Sequence, residues 1–383
     1  MEFQPNIAAA RRTLDSAIKE RIFPGAAFGI YIAGPEAERR FFGSGGHFTY
    51  ASASPEVVPG TIYDLASVSK VVATTAMAMV LYDRGQFALD MPLEAILPAF
   101  NPTLYVERTR VTMRTLLTHS SGLPAHEYLY RRCRNRAQAL AACLTMPLDT
   151  EPGTAYAYSD IGYILLGLAL ETIAGEALST FCAREIFVPL GMSSTFFSPG
   201  ASLRPLIPPT EHDTTFRHRL IQGEVHDENA SLLGGSPGHA GLFSNAPDLL
   251  RFARCLLQGG PPLFAPGTVE LFTTRAHLPE GSSRALGWDT PSAPSSSGHH
   301  FNPNSAGHLG FTGTSLWLDF ERGLAVALLT NRTWQEPEAA FSCMASQDAI
   351  RCLRPRFHDA LFEQLNGPVT TRKIPLAISE KQG

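Results

Sequence analysis

A short strand-like run leads directly into an apolar, alanine-rich helix in the stretch Ile62-Tyr63-Asp64-Leu65-Ala66-Ser67-Val68-Ser69-Lys70-Val71-Val72-Ala73-Thr74-Thr75-Ala76-Met77-Ala78. Ser67 opens that helix and Lys70 follows three residues later, so both side chains share one face, with Cβ atoms about 5–6 Å apart. The Lys70 amine can therefore reach the Ser67 hydroxyl, which we interpret as a nucleophile. A serine at a helix N-terminus also lies among unpaired N–H groups at the positive end of the helix dipole, which suit an oxyanion.

A second Ser-x-x-Lys sequence, Ser16-Ala17-Ile18-Lys19, shows how little the motif proves alone. It lies inside an amphipathic helix pattern, where Lys19 is most simply a solvated charge. The other copy differs because Ser67 begins its helix and Lys70 lies among Val and Ala. Only four of the 31 basic residues are Lys, and only an amine can lose its proton near neutral pH when desolvated. Taken alone, the Ser67 motif fits a structural role equally well.

The composition indicates a compact protein without the charge of a nucleic-acid binder. At about 150 residues per domain, 383 residues suggest two or three domains. Charged residues make up 17%, below the roughly 25% of an average globular protein. The net charge of −4 and the lack of any Lys/Arg run longer than two residues argue against a nucleic-acid partner. The six cysteines form no C-x-x-C pair, which predicts free thiols.

No stretch of the sequence has the pattern of a membrane span or a secretion signal. No run approaches the roughly 18 apolar residues of a spanning helix. The N-terminus, Met1-Glu2-Phe3-Gln4-Pro5-Asn6, has neither a basic segment nor an apolar one. As written, the sequence predicts a cytoplasmic protein, and a periplasmic one if a leader was removed.

Strand patterns at both ends of the chain enclose a mostly helical middle. Strands are predicted over residues 26–33, 38–42, 314–320 and 323–330. Helices are predicted over residues 5–21, 67–84 and 356–365, with shorter patches at 113–119, 136–144, 161–174, 179–188 and 247–257. We expect an α/β (α+β) fold in which residues 1–90 plus 287–383 form an antiparallel sheet flanked by helices. Residues 91–286 would form an inserted, mostly helical domain, with Ser67 at the seam.

Two further stretches contain residues suited to catalysis. In Glu151-Pro152-Gly153-Thr154-Ala155-Tyr156-Ala157-Tyr158-Ser159-Asp160-Ile161-Gly162-Tyr163, a Pro/Gly turn leads to Tyr-Ser-Asp before a helix. In Gly307-His308-Leu309-Gly310-Phe311-Thr312-Gly313-Thr314, small residues at the start of a strand let a substrate backbone approach closely. A phenol, with a pKa of about 10, can act as a base only if a cation such as Lys70 favours its anion. Tyr158 is preferred over Tyr156 because it precedes Asp160 by two residues.

In this order, Ser-x-x-Lys, Tyr-x-(Asn-like) and (Lys/His)-x-Gly resemble the motifs of the class C β-lactamase family, within the serine β-lactamase-like superfamily. Its relatives include penicillin-binding D,D-carboxypeptidases, D-aminopeptidases and lactamase-like carboxylesterases. The similarity runs from about Phe23 to about Arg332. It includes residues 116–124, which look like the family's structural His-Thr-Ser-Gly-Leu segment. The resemblance implies a β-lactamase/D,D-peptidase-like fold.

The resemblance also implies roles for individual residues. Ser67 would form an acyl-enzyme, Lys70 and Tyr158 would transfer protons, and the N–H groups of Ser67 and Phe311 would form the oxyanion hole. Which of Lys70 and Tyr158 takes the serine proton stays open. The substrate would be a small-molecule ester, peptide or β-lactam, with no cofactor or metal ion, and the oligomeric state is left open. The residues expected to contact this substrate are Asp160, His308, Gly310 and Phe311.

Two residues depart from the lactamase pattern. Asp160 stands where the family often has Asn, and a carboxylate cannot donate a hydrogen bond to a substrate carbonyl as an amide can. Asp160 would instead hold Lys70 charged. His308 replaces a lysine that pairs with the β-lactam carboxylate, which removes much of a fixed positive charge at pH 7. We therefore predict a serine hydrolase that prefers esters or peptide-like (D-amino-acid) acyl groups; the alternatives are a class C type β-lactamase and a slow penicillin-binding sensor.

Other polar residues are expected to have structural roles. His119 lies among hydroxyl and Gly neighbours typical of turns, so we expect it to cap or pack a loop. His226, Asp227, Glu228 and His239 lack the close His pair or Cys partner of a zinc site, so no metal site is predicted there.

Overall fold

The computed structural model describes residues 3–34, 37–335 and 343–363. Its strands form one five-stranded sheet and two smaller sheets of three and two strands. The strands are β1 (Gly25–Ile32), β2 (Arg39–Gly46), β3 (Tyr63–Asp64), β4 (Phe196–Phe197), β5 (Pro209–Asp213), β6 (Arg219–Gln222), β7 (Leu242–Ser244), β8 (Ala306–Leu309), β9 (Ser315–Asp319) and β10 (Leu324–Thr330).

Helices make up most of the middle of the chain. The α-helices are α1 (Ile7–Lys19), α2 (Ala76–Asp83), α3 (Leu93–Ile96), α4 (Val106–Thr109), α5 (Met113–Leu117), α6 (Leu129–Arg132), α7 (Arg136–Thr145), α8 (Asp160–Ala174), α9 (Leu178–Cys182), α10 (Glu228–Leu232), α11 (Ala246–Leu257), α12 (Pro266–Thr273) and α13 (Cys343–Ala360). Ala66–Val68, Pro98–Phe100 and Arg204–Leu206 are 3₁₀ turns, and Lys70–Thr75 and Ala183–Phe187 are π-helical.

The five-stranded sheet is built from both ends of the chain. Its strand order is β2-β1-β10-β9-β8, and every pair is antiparallel. The central pair aligns Phe28 with Leu328 and Ile30 with Val326. All residues of β1 and β10 are buried, as expected for strands covered by helices on both faces. The predicted antiparallel sheet flanked by helices is therefore confirmed.

Alternate residues of the central strands face two different sets of helices. Phe28, Ile30 and Val326 belong to an apolar core shared with α1 and α13, where the Phe28 ring meets the Phe357 ring at 5.5 Å. On the other face, α11 packs on β1 and β10. Gly29 permits this approach, because a Cβ atom there would lie 3.0 Å from the Leu250 side chain.

The closing helix begins much earlier than predicted. It runs from Cys343 to Ala360, whereas the prediction covered residues 356–365, of which 364 and 365 lie outside the described residues. Pro355 lies inside this helix and costs it a hydrogen bond. Burial of Ile350, Leu353 and Phe357 against the sheet compensates for that loss.

The predicted domain boundaries at 90/91 and 286/287 stay a prediction. Helix α11, from the region 91–286, covers one face of the sheet, and one continuous apolar core includes residues from both regions. Within the described residues, no single helix has the length and apolar character of a membrane span. Among these residues, two helical segments, 160–174 and 178–187, are long and apolar enough only when taken together, and they are bent by 71° relative to each other.

The segment after Ser67 is helical but irregular. A 3₁₀ turn is followed by the π-helical segment Lys70–Thr75, and regular α-helix begins only at Ala76. All six residues of the π-helical segment are buried. Such segments are uncommon and occur often at functional sites. This irregular start places Ser67 and Lys70 at the junction of the sheet and the helical region.

Candidate active site

A strained turn, tied down by one carboxylate, presents Ser67. The residue before it, Ala66, has a φ of 46°, a left-handed conformation that costs a non-glycine residue about 1–2 kcal/mol. The buried Asp64 carboxylate accepts hydrogen bonds from the N–H groups of Ala66 at 2.8 Å and His226 at 2.6 Å. Burial raises the pKa of Asp64 to about 6. These bonds hold the turn in a conformation that it would not adopt alone.

Lys70 is completely buried beside the nucleophile. Its Nζ donates to the Ser67 Oγ at 2.9 Å and to the His239 carbonyl at 2.8 Å, and it lies 2.8 Å from the Asp160 Oδ1. Burial disfavours the ammonium, but the negative charge of Asp160 and the interaction with the Tyr158 phenol outweigh it and raise the pKa of Lys70. Lys70 is therefore a cation at neutral pH.

Asp160 is the first residue of α8 and connects Lys70 to the cavity wall. Burial disfavours its anion, but Lys70, His126 and His239 together hold the pKa of the Asp160 carboxyl well below its usual range. The Asp160 Oδ2 lies 3.6 Å from the His126 Nδ1. Ser159 caps α8 by accepting the Gly162 N–H at 2.9 Å. Asp160 is thus a fixed anion at neutral pH.

The Tyr158 ring is surrounded by charged and aromatic side chains. The Lys70 Nζ lies 5.1 Å from its centre and the Arg284 guanidinium 5.3 Å from it. The His119 ring packs on it at 4.5 Å, and the His119 Nδ1 accepts the Ser159 N–H at 3.0 Å. His119 thus packs a loop, as predicted, and this loop carries Tyr158.

The strand on the other side of Ser67 supplies a neutral histidine. His308 is 3% exposed, and its Nδ1 donates to the Leu309 carbonyl at 2.8 Å. Burial, together with the nearby Arg284 and Lys70 cations, lowers the pKa of His308 well below its ordinary value. The position where β-lactamases of the class C type have a lysine therefore has no positive charge at neutral pH.

The turn between β8 and β9 is hydrogen-bonded to the chain just before Ser67. The Thr312 Oγ1 donates to the Asp64 carbonyl at 2.8 Å, and the Thr314 Oγ1 donates to the Leu65 carbonyl at 2.9 Å. Gly310 fits only because it lacks a side chain, since a Cβ atom would overlap the Thr314 hydroxyl and the Leu65 carbonyl. The turn thus has a fixed position relative to the nucleophile.

One cavity of about 1170 Å³ brings the predicted site residues together. Phe311 is 43% exposed in it and lies between the His226 ring, at 5.7 Å, and the Arg332 guanidinium, at 4.4 Å. The buried Lys70 lies beneath Ser67. The predicted site residues that line the cavity are Ser67, Tyr158, Asp160, His308, Gly310 and Phe311.

The beta-lactamase family model matches residues 10–342, which is most of the chain. The chain belongs to the beta-lactamase family. The resemblance seen in the three motifs is therefore confirmed. The family fold is confirmed with it, because EstCE1, a hydrolase with promiscuous acyltransferase activity, superimposes with a TM-score of 0.71. That match covers 91% of this chain and 98% of EstCE1, at 21% identity, and shows the fold alone.

Two relatives within the beta-lactamase family are similar in sequence. The N-acetylmuramyl-L-alanine amidase of Bacillus subtilis (strain 168) is 32% identical over 305 residues, which cover 71% of this chain and 68% of the relative. An Escherichia coli (strain K12) protein, provisionally named D-alanyl-D-alanine carboxypeptidase, is 32% identical over 304 residues, with 71% and 69% covered. The names of these two relatives are thus those of an amidase and a carboxypeptidase.

Several residues that shape this beta-lactamase-family site were not predicted from the sequence. Asp64 holds the strained turn, and Arg284 donates to the Tyr156 hydroxyl at 2.8 Å as well as packing near Tyr158. Tyr156, the rejected candidate for the phenol, is 44% exposed. The one local signal was the placement of Asp64 at the end of a buried strand. Nothing in its local sequence predicts where Arg284 packs.

Proposed function

We propose that this member of the beta-lactamase family is a serine hydrolase that acts through a Ser67 acyl-enzyme. The observation that carries the proposal is the 2.9 Å contact between the Ser67 Oγ and the buried Lys70 Nζ, at the wall of an open cavity. A serine hydroxyl is a weak nucleophile unless neighbouring groups activate it. The membership of this chain in a family of hydrolases supports the same reaction class.

In this proposal Tyr158, rather than Lys70, accepts the serine proton. The Lys70 ammonium is already protonated, and it donates to the Ser67 Oγ. As the Ser67 Oγ bonds to the substrate carbonyl carbon, its proton passes to the Tyr158 oxygen, which acts as the base beside the Lys70 and Arg284 cations. The same proton then leaves with the alcohol or amine group, whose bond to the carbonyl carbon breaks.

A water molecule completes the proposed cycle. It adds to the acyl carbon and loses a proton to Tyr158, and the bond from that carbon to the Ser67 Oγ breaks as Tyr158 passes that proton to the Ser67 Oγ. During both steps the negative carbonyl oxygen lies between the N–H groups of Ser67 and Phe311. Donors fixed at that place stabilise the transition state more than the bound substrate.

The proposed substrates are esters and peptide-like acyl groups such as D-amino-acid peptides, in preference to β-lactams. Asp160 can only accept hydrogen bonds, and its charge is committed to Lys70. His308 is uncharged at neutral pH. Asp160 therefore cannot donate a hydrogen bond to a β-lactam amide carbonyl, and His308 has no positive charge to pair with a β-lactam carboxylate. The names of the amidase and carboxypeptidase relatives support peptide-like substrates.

The test compares initial rates on a p-nitrophenyl short-chain ester, a peptide ending in D-Ala-D-Ala and a chromogenic cephalosporin. The variants are Ser67→Ala and, as a matched control, Ser16→Ala, because Ser16 belongs to the other Ser-x-x-Lys sequence on α1. We expect Ser67→Ala to lose at least about 1000-fold in kcat and Ser16→Ala to keep the wild-type rate. A cephalosporin hydrolysed faster than both other substrates would refute the substrate preference, and an active Ser67→Ala would refute the mechanism.

A further inference from the structure

A buried arginine from the last helix is bonded to the turn that follows β8. Arg354, on α13, is 4% exposed. Its Nη2 donates to the Gly310 carbonyl at 2.7 Å and to the Thr314 carbonyl at 2.9 Å. The Thr314 carbonyl also accepts the Gly310 N–H at 2.8 Å. A single guanidinium thus joins the start and the end of the turn that carries Phe311.

The charge of Arg354 lacks the compensation that a buried cation usually has. Among residues 3–34, 37–335 and 343–363, Arg354 forms no ion pair with a carboxylate, and its Nε has no hydrogen-bond partner. Burial and the nearby Arg332 and Arg351 cations lower its pKa to about 9, so it stays charged at pH 7. Burying a cation without a neighbouring carboxylate costs desolvation free energy. This cost points to a function for the contact with the Gly310 carbonyl.

We propose that Arg354 is a positioning residue for the oxyanion hole, which orients and polarises the peptide group between Gly310 and Phe311. A trans peptide group is planar, so its C=O and N–H point in opposite directions. With the Gly310 oxygen held by Arg354, the Phe311 N–H points away from the guanidinium. The inference rests on the proposed function, in which this N–H binds the negative oxygen of the acylation intermediate.

The surroundings of this peptide group leave its N–H available. Within the described part of the chain, the Phe311 N–H donates to no acceptor. Gly310 lies against the Leu65 carbonyl, and Thr314 is hydrogen-bonded to the same oxygen. The peptide group is therefore adjacent to the segment that leads into Ser67, and both line one cavity.

A cation that donates a hydrogen bond to the carbonyl of a peptide group also makes the N–H of that peptide group a stronger hydrogen-bond donor. Hydrogen bonds to charged groups are stronger than those between neutral groups, and hydrogen bonds in a chain polarise one another. The gain is greatest when the substrate oxygen becomes negative, so Arg354 is expected to act on kcat and leave KM nearly unchanged.

The test uses Arg354→Met and Arg354→Lys, with Arg108→Met as the matched control. Arg108 is also a buried arginine that binds carbonyl groups, those of Phe100, Leu144 and Met146, but it lies in the helical region. Steady-state kinetics on the p-nitrophenyl ester give kcat and KM. The Kd of an alkylboronic acid, which forms a tetrahedral adduct with a serine oxygen, reports on oxyanion binding. The concentration of active enzyme is taken as the amount of Ser67 that a phosphonate labels when the reaction has gone to completion. All rates are divided by this concentration, so unfolded protein is not counted.

We expect Arg354→Met to lose about 100-fold in kcat, with KM within about twofold, and to weaken boronate binding in parallel. Arg354→Lys, which keeps the charge and one donor, should recover part of both losses. Arg108→Met should keep the wild-type kcat and boronate Kd, even if it is less stable. Wild-type values in Arg354→Met, or equal losses in Arg108→Met, would overturn the inference while leaving the acyl-enzyme proposal intact. That proposal fails separately if Ser67→Ala remains active.

Discussion

The Lys70 ammonium and the Asp160 carboxylate lie 2.8 Å apart beneath the nucleophile. The two charges largely cancel, so the field of Lys70 at the Tyr158 phenol is weaker than that of an unpaired lysine. The pairing is possible because position 160 is Asp, where the family pattern often has Asn. It affects both proton transfer and substrate choice.

Replacing this carboxylate should lower the pKa of Lys70, because the negative charge of Asp160 is the main influence that raises it. Asp160→Asn removes a negative charge near the phenol and leaves Lys70 uncompensated. We expect the basic limb of the kcat/KM profile, where the Lys70 ammonium loses its proton, to move to lower pH. The measurement is a pH–rate profile on the ester, with Asp90→Asn as the control, because Asp90 pairs with Arg114 on the surface. An unchanged basic limb in Asp160→Asn would contradict this coupling.

The Asp64 carboxylate should matter for catalysis although it does not touch the substrate. Asp64→Asn leaves one acceptor oxygen for two N–H groups, so the strained turn at Ala66 should relax and displace Ser67. We expect kcat to fall about 100-fold. The control is Asp248→Asn. That carboxylate is also buried and accepts the Ser194 N–H at 2.7 Å, but it does not contact the Ser67 turn. Equal kcat values in the two variants would argue against a role for Asp64 in positioning.

A methyl group at position 310 should be poorly tolerated. In Gly310→Ala, the added Cβ would overlap the Thr314 hydroxyl and the Leu65 carbonyl, so the turn must move away from Ser67. Activity on the ester should fall by about 100-fold or more. Gly267→Ala on α12 is the control, because its added Cβ meets no atom within 4 Å. A fully active Gly310→Ala would show that the turn does not need this close contact.

His226, whose side chain is 12% exposed, should destabilise the folded protein in acid. Burial, reinforced by Arg217, lowers the pKa of His226 to about 4, so the unfolded chain binds a proton at this residue more readily than the folded one. Its contribution to stability is complete above pH 6.5 and is lost as the pH falls towards 4. Between pH 7 and pH 4, the free energy of unfolding of His226→Asn should fall by about 3 kcal/mol less than that of the wild type.

Urea unfolding at pH 7, 5.5 and 4 measures this difference. The exposed His300 gives the control, His300→Gln, whose pH dependence should equal that of the wild type. The buried Asp64 and the partly buried Glu211, with pKa values raised to about 6 and about 7 mainly by desolvation, act in the opposite direction. They are present in both proteins, so their effect cancels. Parallel pH curves for wild type and His226→Asn would exclude this explanation.

Local sequence patterns predicted the main sheet and the order of the site motifs well. The strands at both ends of the chain have the apolar pattern of buried strands, and Ser67, Lys70, Tyr158 and Asp160 belong to short motifs with fixed spacing. The start of α13 was missed because Pro355 favours a helix boundary in isolation, whereas packing on the sheet decides the structure here.

Contacts between distant parts of the chain could not be predicted in the same way. Asp64 and His226 are separated by 162 residues, and Arg354 reaches Gly310 across 44 residues. Such pairs depend on how the elements pack, and neither residue carries a local pattern that names its partner. They are also the contacts that hold the catalytic turn and the oxyanion peptide in place.

The site of phosphonylation tests directly whether Ser67 is the nucleophile. A p-nitrophenyl phosphonate ester bonds irreversibly to an activated serine oxygen with release of p-nitrophenol, and peptide mapping by mass spectrometry locates the adduct. We expect one phosphonyl group per chain, on the peptide that contains Ser67, and no adduct in Ser67→Ala. An adduct on another serine, or continued ester hydrolysis by a chain whose Ser67 is fully blocked, would contradict the assignment of Ser67 as the nucleophile.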